Sequence, residues 1–160
     1  TAIKRGNAPP ELTAEILDSM TRLNNDASRI AIEAGATGAT DVTGFGLLGH
    51  LGRAMRESGL NARIEVAAVA VPDGVRDLAE AGAMPGGSRR NLAWVDDHVD
   101  RGDFEELDLL LLADAQTSGG LVFGVEEDRA ESAFADLEST GHRPSIIGRT
   151  TVGEGLITLI

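Results

Sequence analysis

The chain has 160 residues, 42% hydrophobic and 25% charged, enough apolar side chains for the core of one ordinary globular domain. A formal net charge of -12 argues against nucleic-acid binding, which needs lysine and arginine to displace counterions from phosphates, and leaves carboxylates available for a hard cation such as Mg²⁺. With no cysteine, disulfides, thiolate metal sites and a cysteine nucleophile are excluded within these residues, and no apolar run approaches the roughly 18 residues of a membrane span.

The opening Thr1–Gly6 segment resembles the tail of a strand and carries no starting Met, which suggests a piece of a longer protein. Pro9-Pro10 open a helix whose apolar face is Leu12, Ile16, Leu17, Met20 and Leu23. A second helix is expected over 25–34, stopping at Gly35. The glycine-rich stretch 35–46 holds a short strand around 40–42. Leu47, Leu48, Leu51 and Met55 then mark one face of a helix ending near Gly59. Residues 62–71 alternate like a strand that Pro72 ends. A short helix over 73–81 and a loop over 82–90 follow, and 91–99 has no clear pattern. Helix is expected over 104–113, loop over 116–120, strand over 121–125 and an amphipathic helix through Ala130, Ala133, Phe134 and Leu137, ending at Gly141. The last two strands are 143–149 and 155–160, joined by a turn at 152–154. Two strand–helix–strand units, 40–67 and 120–149, point to one α+β (layered α/β) domain, a mixed sheet flanked by helices and partly ferredoxin-like.

Three segments could carry chemistry. In Asp41-Val42-Thr43-Gly44-Phe45-Gly46-Leu47-Leu48-Gly49-His50, a strand end runs through glycines into a helix. The first N–H groups of a helix have no internal partner, and its dipole adds positive potential there. Glycines at 44 and 46 permit close approach of a phosphate, Thr43 can cap the helix or contact a phosphate oxygen, and Asp41 can hold a Mg²⁺ that bridges phosphates. A tight turn with Thr43 as N-cap remains the competing reading, since Gly-x-Gly alone is weak. Gln116-Thr117-Ser118-Gly119-Gly120 could line a polar pocket or form a plain turn. Pro85-Gly86-Gly87-Ser88-Arg89-Arg90-Asn91 offers arginines to a phosphate or is an exposed loop. His50, His98 and His142 match no metal-ligand spacing and read as surface or helix histidines. The acidic run Asp96, Asp97, Asp100 and Asp103 reads as a solvated face.

In that order, the Thr40–His50 motif, Pro85-Gly86-Gly87 and Gln116–Leu121 resemble the C-terminal domain of the selenophosphate synthetase (selenide, water dikinase) family, a branch of the aminoimidazole ribonucleotide synthetase superfamily. Thr1–Gly6 is similar to the family's segment between its two halves, so 1–9 would be the end of that segment and 1–160 a single C-terminal domain. The resemblance implies the formation of selenophosphate, AMP and phosphate from ATP, selenide and water with Mg²⁺, in selenium metabolism. It further implies an ATP-binding N-terminal domain as partner and a homodimer. The acidic charge, the lack of a membrane-length apolar run and the lack of a signal-peptide pattern make a cytoplasmic location, with no nucleic acid or membrane involved, the default expectation. Asp41 maps onto the family's metal-binding aspartate, and Gln116–Gly120 onto a wall of the cleft. The family's usual proline before Gln-Thr-Ser-Gly-Gly is Ala115 here. Its reactive Cys or selenocysteine and nearby Lys have no counterpart in these residues, so the 160 residues alone should not make selenophosphate. A different ATP-dependent member of the superfamily and a non-catalytic docking module are the competing functions.

Overall fold

A computed structural model describes residues 1–160. Its elements are α1 (Ala2–Arg5), α2 (Pro10–Thr21), α3 (Asn25–Glu33), β1 (Gly38–Asp41), α4 (Gly46–Ser58), β2 (Leu60–Ile64), α5 (Val75–Glu80), α6 (Gly86–Val95), β3 (Val99–Asp100), α7 (Glu106–Leu112), β4 (Leu121–Gly124), α8 (Glu127–Ser139), β5 (Gly148–Val152) and β6 (Ile157–Leu159). The α+β class and the mixed sheet with flanking helices are as expected. The mixed sheet has the order β3-β6-β2-β5, with β2 antiparallel to β5 and parallel to β6, and β3 parallel to β6. A separate antiparallel ladder joins β1 to β4, pairing Gly38 with Gly124 and Asp41 with Leu121.

Apolar burial explains the layering. The helical spacing of Leu47, Leu48, Leu51 and Met55 puts all four into one core with Ala62, Ile64, Ile157 and Leu159 of the mixed sheet. Leu92 and Val95 of α6 and Leu109, Leu110 and Leu112 of α7 close the same core. Leu48 and Leu109 are completely buried, each stabilising the fold by about 1.5–3 kcal/mol relative to exposure. A smaller cluster, Ala27 and Ile30 of α3 with Ala133 and Leu137 of α8, covers the β1–β4 ladder through Leu121 and Phe123.

Several local expectations are corrected. Residues 2–5 are a helical turn rather than a strand tail, closed by Arg5 N–H to Thr1 O and anchored by Arg5 Nη1 to Gly82 O at 3.0 Å. The apolar face of α2 buries only Leu12, while Leu23 lies beyond the helix and is exposed. The strand expected over 62–71 ends at Ile64; Glu65 and Val66 still donate to Ile147 O and Ile160 O, and the chain then curls into a turn of 3₁₀ helix over 66–68. The loop expected over 82–90 gives way to α6 at Gly86, because burial of Ser88, Leu92 and Val95 outweighs the poor helix propensity of two glycines. The strand expected over 143–149 begins only at Gly148; Pro144 has no N–H to donate to a ladder. The two strand–helix–strand units do not close within single sheets, since β1 and β4 pair with each other while β2 and β5 belong to the mixed sheet.

Candidate functional site

The β1–β4 ladder does not stop at its last residue pair. Beyond Asp41, Val42 N–H donates to Gly120 O at 3.0 Å and Gly119 N–H to Val42 O at 2.9 Å. Gln116 N–H then donates to Thr43 O at 3.1 Å. The first two sequence motifs therefore lie side by side, joined through backbone groups. Glycine 119 is required by this approach, for a Cβ there would sit 2.3 Å from Val42 O. Gly46 is required on the other flank: its φ is +69°, and a Cβ would lie 2.5 Å from the Ala113 carbonyl carbon.

The third motif joins the same assembly. Ser88, fully buried, donates from Oγ to Asp114 Oδ1 at 2.6 Å and accepts the Ala115 N–H at 3.4 Å. That second bond uses a donor proline lacks, so the departure at Ala115 adds a tie. Asn91 Nδ2 bridges Gly44 O at 2.9 Å and Ala113 O at 3.1 Å. Arg89, a phosphate candidate by type, faces Glu106 at 3.1 Å on the surface instead. The Gln116 amide donates to Asp114 Oδ2 at 2.9 Å.

Asp41 stands at the exposed end of β1, and no side-chain hydrogen bond or ion pair engages its carboxylate. Thr117 and Ser118 are exposed in the loop that leads into β4, their hydroxyls without a protein partner. Gly44 and Gly120 have open space where a Cβ would be, within 4 Å. Thr43 does not cap α4: the residue preceding the helix is Phe45, and no side chain caps its N-terminus. The Thr43 hydroxyl instead lies 3.0 Å from Nε2 of His50, which also accepts the Thr43 backbone N–H at 3.1 Å. His50 thus belongs to the site, a role its spacing from other histidines could not suggest. The available signal was its place one turn into a helix that follows Thr40 and Thr43. His98 and His142 lie elsewhere, at the end of a short 3₁₀ turn and after α8.

No cluster of three or more His, Cys, Asp or Glu side chains is poised to hold a metal ion. The donor set still fits a partial Mg²⁺ site. That ion keeps several waters and takes one or two carboxylates together with substrate phosphates, and Asp41 is a carboxylate with no competing partner. A hollow of about 220 Å³ elsewhere is lined by Val66, Val71, Pro72 and the Arg76–Asp108 pair. There the hydrogen bond and charge of Asp108 raise the Arg76 pKa, and the two charges offset each other.

The profile of the family described as "AIR synthase related protein, C-terminal domain" matches residues 10–159. The chain belongs to that family. Among curated relatives of this AIR synthase related domain, "Selenide, water dikinase" of Carboxydothermus hydrogenoformans is 36% identical over 160 residues, 99% of this chain and 46% of the relative. Proteins of the same name from Porphyromonas gingivalis and Myxococcus xanthus are 40% and 37% identical, covering 94% and 100% of this chain and 43% and 46% of their own lengths. The resemblance expected from the three motifs thus extends over essentially the whole chain, which spans a little under half the length of these relatives. The hydrogenase maturation protein HypE shares the fold, with a TM-score of 0.53 at 21% identity over 81% of this chain and 33% of that one. No helix is long and apolar enough to cross a membrane.

Proposed function

We propose that this domain forms one wall of the ATP cleft of a selenophosphate-forming enzyme and supplies one metal-binding carboxylate, Asp41. The observation that carries the reading is the convergence of three motifs far apart in sequence on one exposed edge, where Asp41, Thr117 and Ser118 have no protein partners. The relatives' name, selenide, water dikinase, supports the choice of enzyme, and the reaction we propose for it turns ATP, selenide and water into selenophosphate, AMP and phosphate. An ATP-binding domain, paired with this one in a cytoplasmic homodimer, would bring the nucleotide and the remaining metal ligands. Mg²⁺, when bound, offsets phosphate charge and holds the phosphates in line for transfer. Asp41 would hold the ion from this side. Gly44 and Gly120 leave room for phosphate oxygens, and the Thr117 and Ser118 hydroxyls and the Gln116–Gly120 backbone orient them. The 160 residues alone would not turn over.

The test is selenide-dependent AMP formation from ATP by the two-domain protein, wild type beside Asp41→Asn. The expected result is activity in the wild type and a loss of at least about 100-fold in the variant, as for removal of a group that stabilises charge in the transition state. Full activity in Asp41→Asn would reduce the motif to a turn. A folded, ATP-cleaving wild type that ignores selenide would assign the chain to a different ATP-dependent branch of the family.

A further inference from the structure

From the contacts of its two ring nitrogens we infer that His50 is a positioning residue that fixes the segment bearing Asp41, acting through one defined tautomer. The ring reaches both ends of that segment. Nε2 accepts the Thr43 backbone N–H at 3.1 Å, and Nδ1 lies 3.4 Å from Thr40 Oγ1. A nitrogen that accepts an N–H bond carries no proton of its own, so the imidazole proton sits on Nδ1. The Thr40 hydroxyl is committed as a donor to the Asp41 carbonyl at 3.1 Å, which leaves its lone pair facing Nδ1–H. The order is consistent along the bonds: His50 Nδ1–H to Thr40 Oγ1, Thr40 O–H to Asp41 O, and Thr43 N–H to His50 Nε2, with the Thr43 hydroxyl, 3.0 Å from Nε2, free to turn its O–H toward the same lone pair. The opposite tautomer would place two N–H groups against each other at Thr43.

His50 can act as a fixed post because its own position is determined elsewhere. It rides on α4 between Leu47, Leu48 and Leu51, all buried in the main core, and the Phe45 ring meets its ring edge-on at a centroid distance of 5.7 Å. Asp41 has no side-chain partner of its own, so the backbone of residues 40–43 sets only where its Cα–Cβ bond points. A side chain that ties residue 40 to residue 43 therefore fixes the backbone from which the aspartate projects. The bearing on catalysis rests on the function proposed above, whereas the hydrogen bonds do not.

Nitrogen NMR on the 160-residue chain tests the geometry directly. His50 should show an unprotonated Nε2, a protonated Nδ1, and a scalar coupling across the hydrogen bond between Nε2 and the Thr43 amide nitrogen. With three histidines in the chain, the signals are assigned by single substitutions. A protonated Nε2, or no coupling to Thr43, would overturn the inference whatever the enzyme does. In the two-domain protein, His50→Leu should lower kcat by roughly 10–100-fold, the usual effect of removing a group that orients a metal ligand, with a smaller change in KM for ATP. His50→Gln, whose amide oxygen can take the place of Nε2, should lose less. Equal losses in both variants, or a change confined to KM, would count against positioning. A wild type without selenide-dependent activity would refute the proposed function and leave the tautomer and coupling to decide the role of His50.

Discussion

Replacing Gly46 with alanine should destabilise the domain, while the same change at Gly44, two residues earlier, should not. At Gly46 the backbone has φ +69°, a region that costs an L-residue about 1–2 kcal/mol. The added methyl would also lie 2.5 Å from the Ala113 carbonyl carbon, 2.6 Å from its oxygen and 2.8 Å from the Asp114 oxygen. These are backbone atoms and cannot swing aside as a flexible side chain would, so a further ~1–3 kcal/mol is expected from forced displacement. The total, about 2–5 kcal/mol, is a large part of the stability of a domain this size. Gly44 has no atom within 4 Å of an added Cβ and does not have a positive φ, so its alanine variant should stay within about 0.5 kcal/mol of wild type. Urea unfolding followed by circular dichroism reads both, with a midpoint lowered by on the order of 1 M for Gly46→Ala at unchanged slope. Equal midpoints for wild type and Gly46→Ala, or an equal loss in Gly44→Ala, would refute the assignment of one glycine to packing and the other to open space.

Ser88→Ala removes the hydroxyl that donates to Asp114 and accepts from Ala115, leaving Asp114 with only its Gln116 bond and the Ala115 N–H unpaired in a half-buried setting. A loss of about 1–3 kcal/mol in a urea titration is expected, and a change below a few tenths would mean that Ser88 does not tie α6 to the loop. Asn61 Oδ1 accepts the N–H groups of Glu154, Gly155 and Leu156 at 2.9, 3.1 and 2.9 Å, fixing the turn between β5 and β6. Asn61→Leu should cost about 1–3 kcal/mol and Asn61→Asp should keep the acceptor and cost less, an order that thermal unfolding can check.

What was legible in the sequence follows the range of the interactions involved. Helices α4 and α8 are set by local spacing: Leu48, Leu51 and Met55, and Ala133 and Leu137, recur at the helical period and are buried. Helix α6 was not legible, because its sequence opens with two glycines and its anchor, Ser88, finds its partner Asp114 only after the fold brings α6 to the end of α7. Nor was the division into two sheets. Pairings such as Ala62 with Ile157 and Asp41 with Leu121 join segments some 80 to 95 positions apart, which no local pattern encodes. Within the site, Asp41 and the glycines stood out through residue type alone. The hydrogen bonds that make His50 part of it depend on the turn geometry of residues 40–46, which residue types alone do not determine.

The distribution of glycines and free polar groups bears on the choice between a plain turn and the binding surface proposed above. A turn at residues 43–46 needs Gly46, and a close passage at 119 needs Gly119; both demands come from neighbouring backbone. Neither demand reaches Gly44 or Gly120, where a side chain would meet nothing within 4 Å. The internal ties of the assembly come from backbone groups, from Ser88, Asn91 and His50, and from one aspartate, Asp114, that is already paired. Asp41 and the Thr117 and Ser118 hydroxyls take no part in holding the loops together. A structure built only to turn the chain would have no use for three unpartnered polar side chains beside two glycines that packing does not require. A surface that receives a metal-bound phosphate has a use for each.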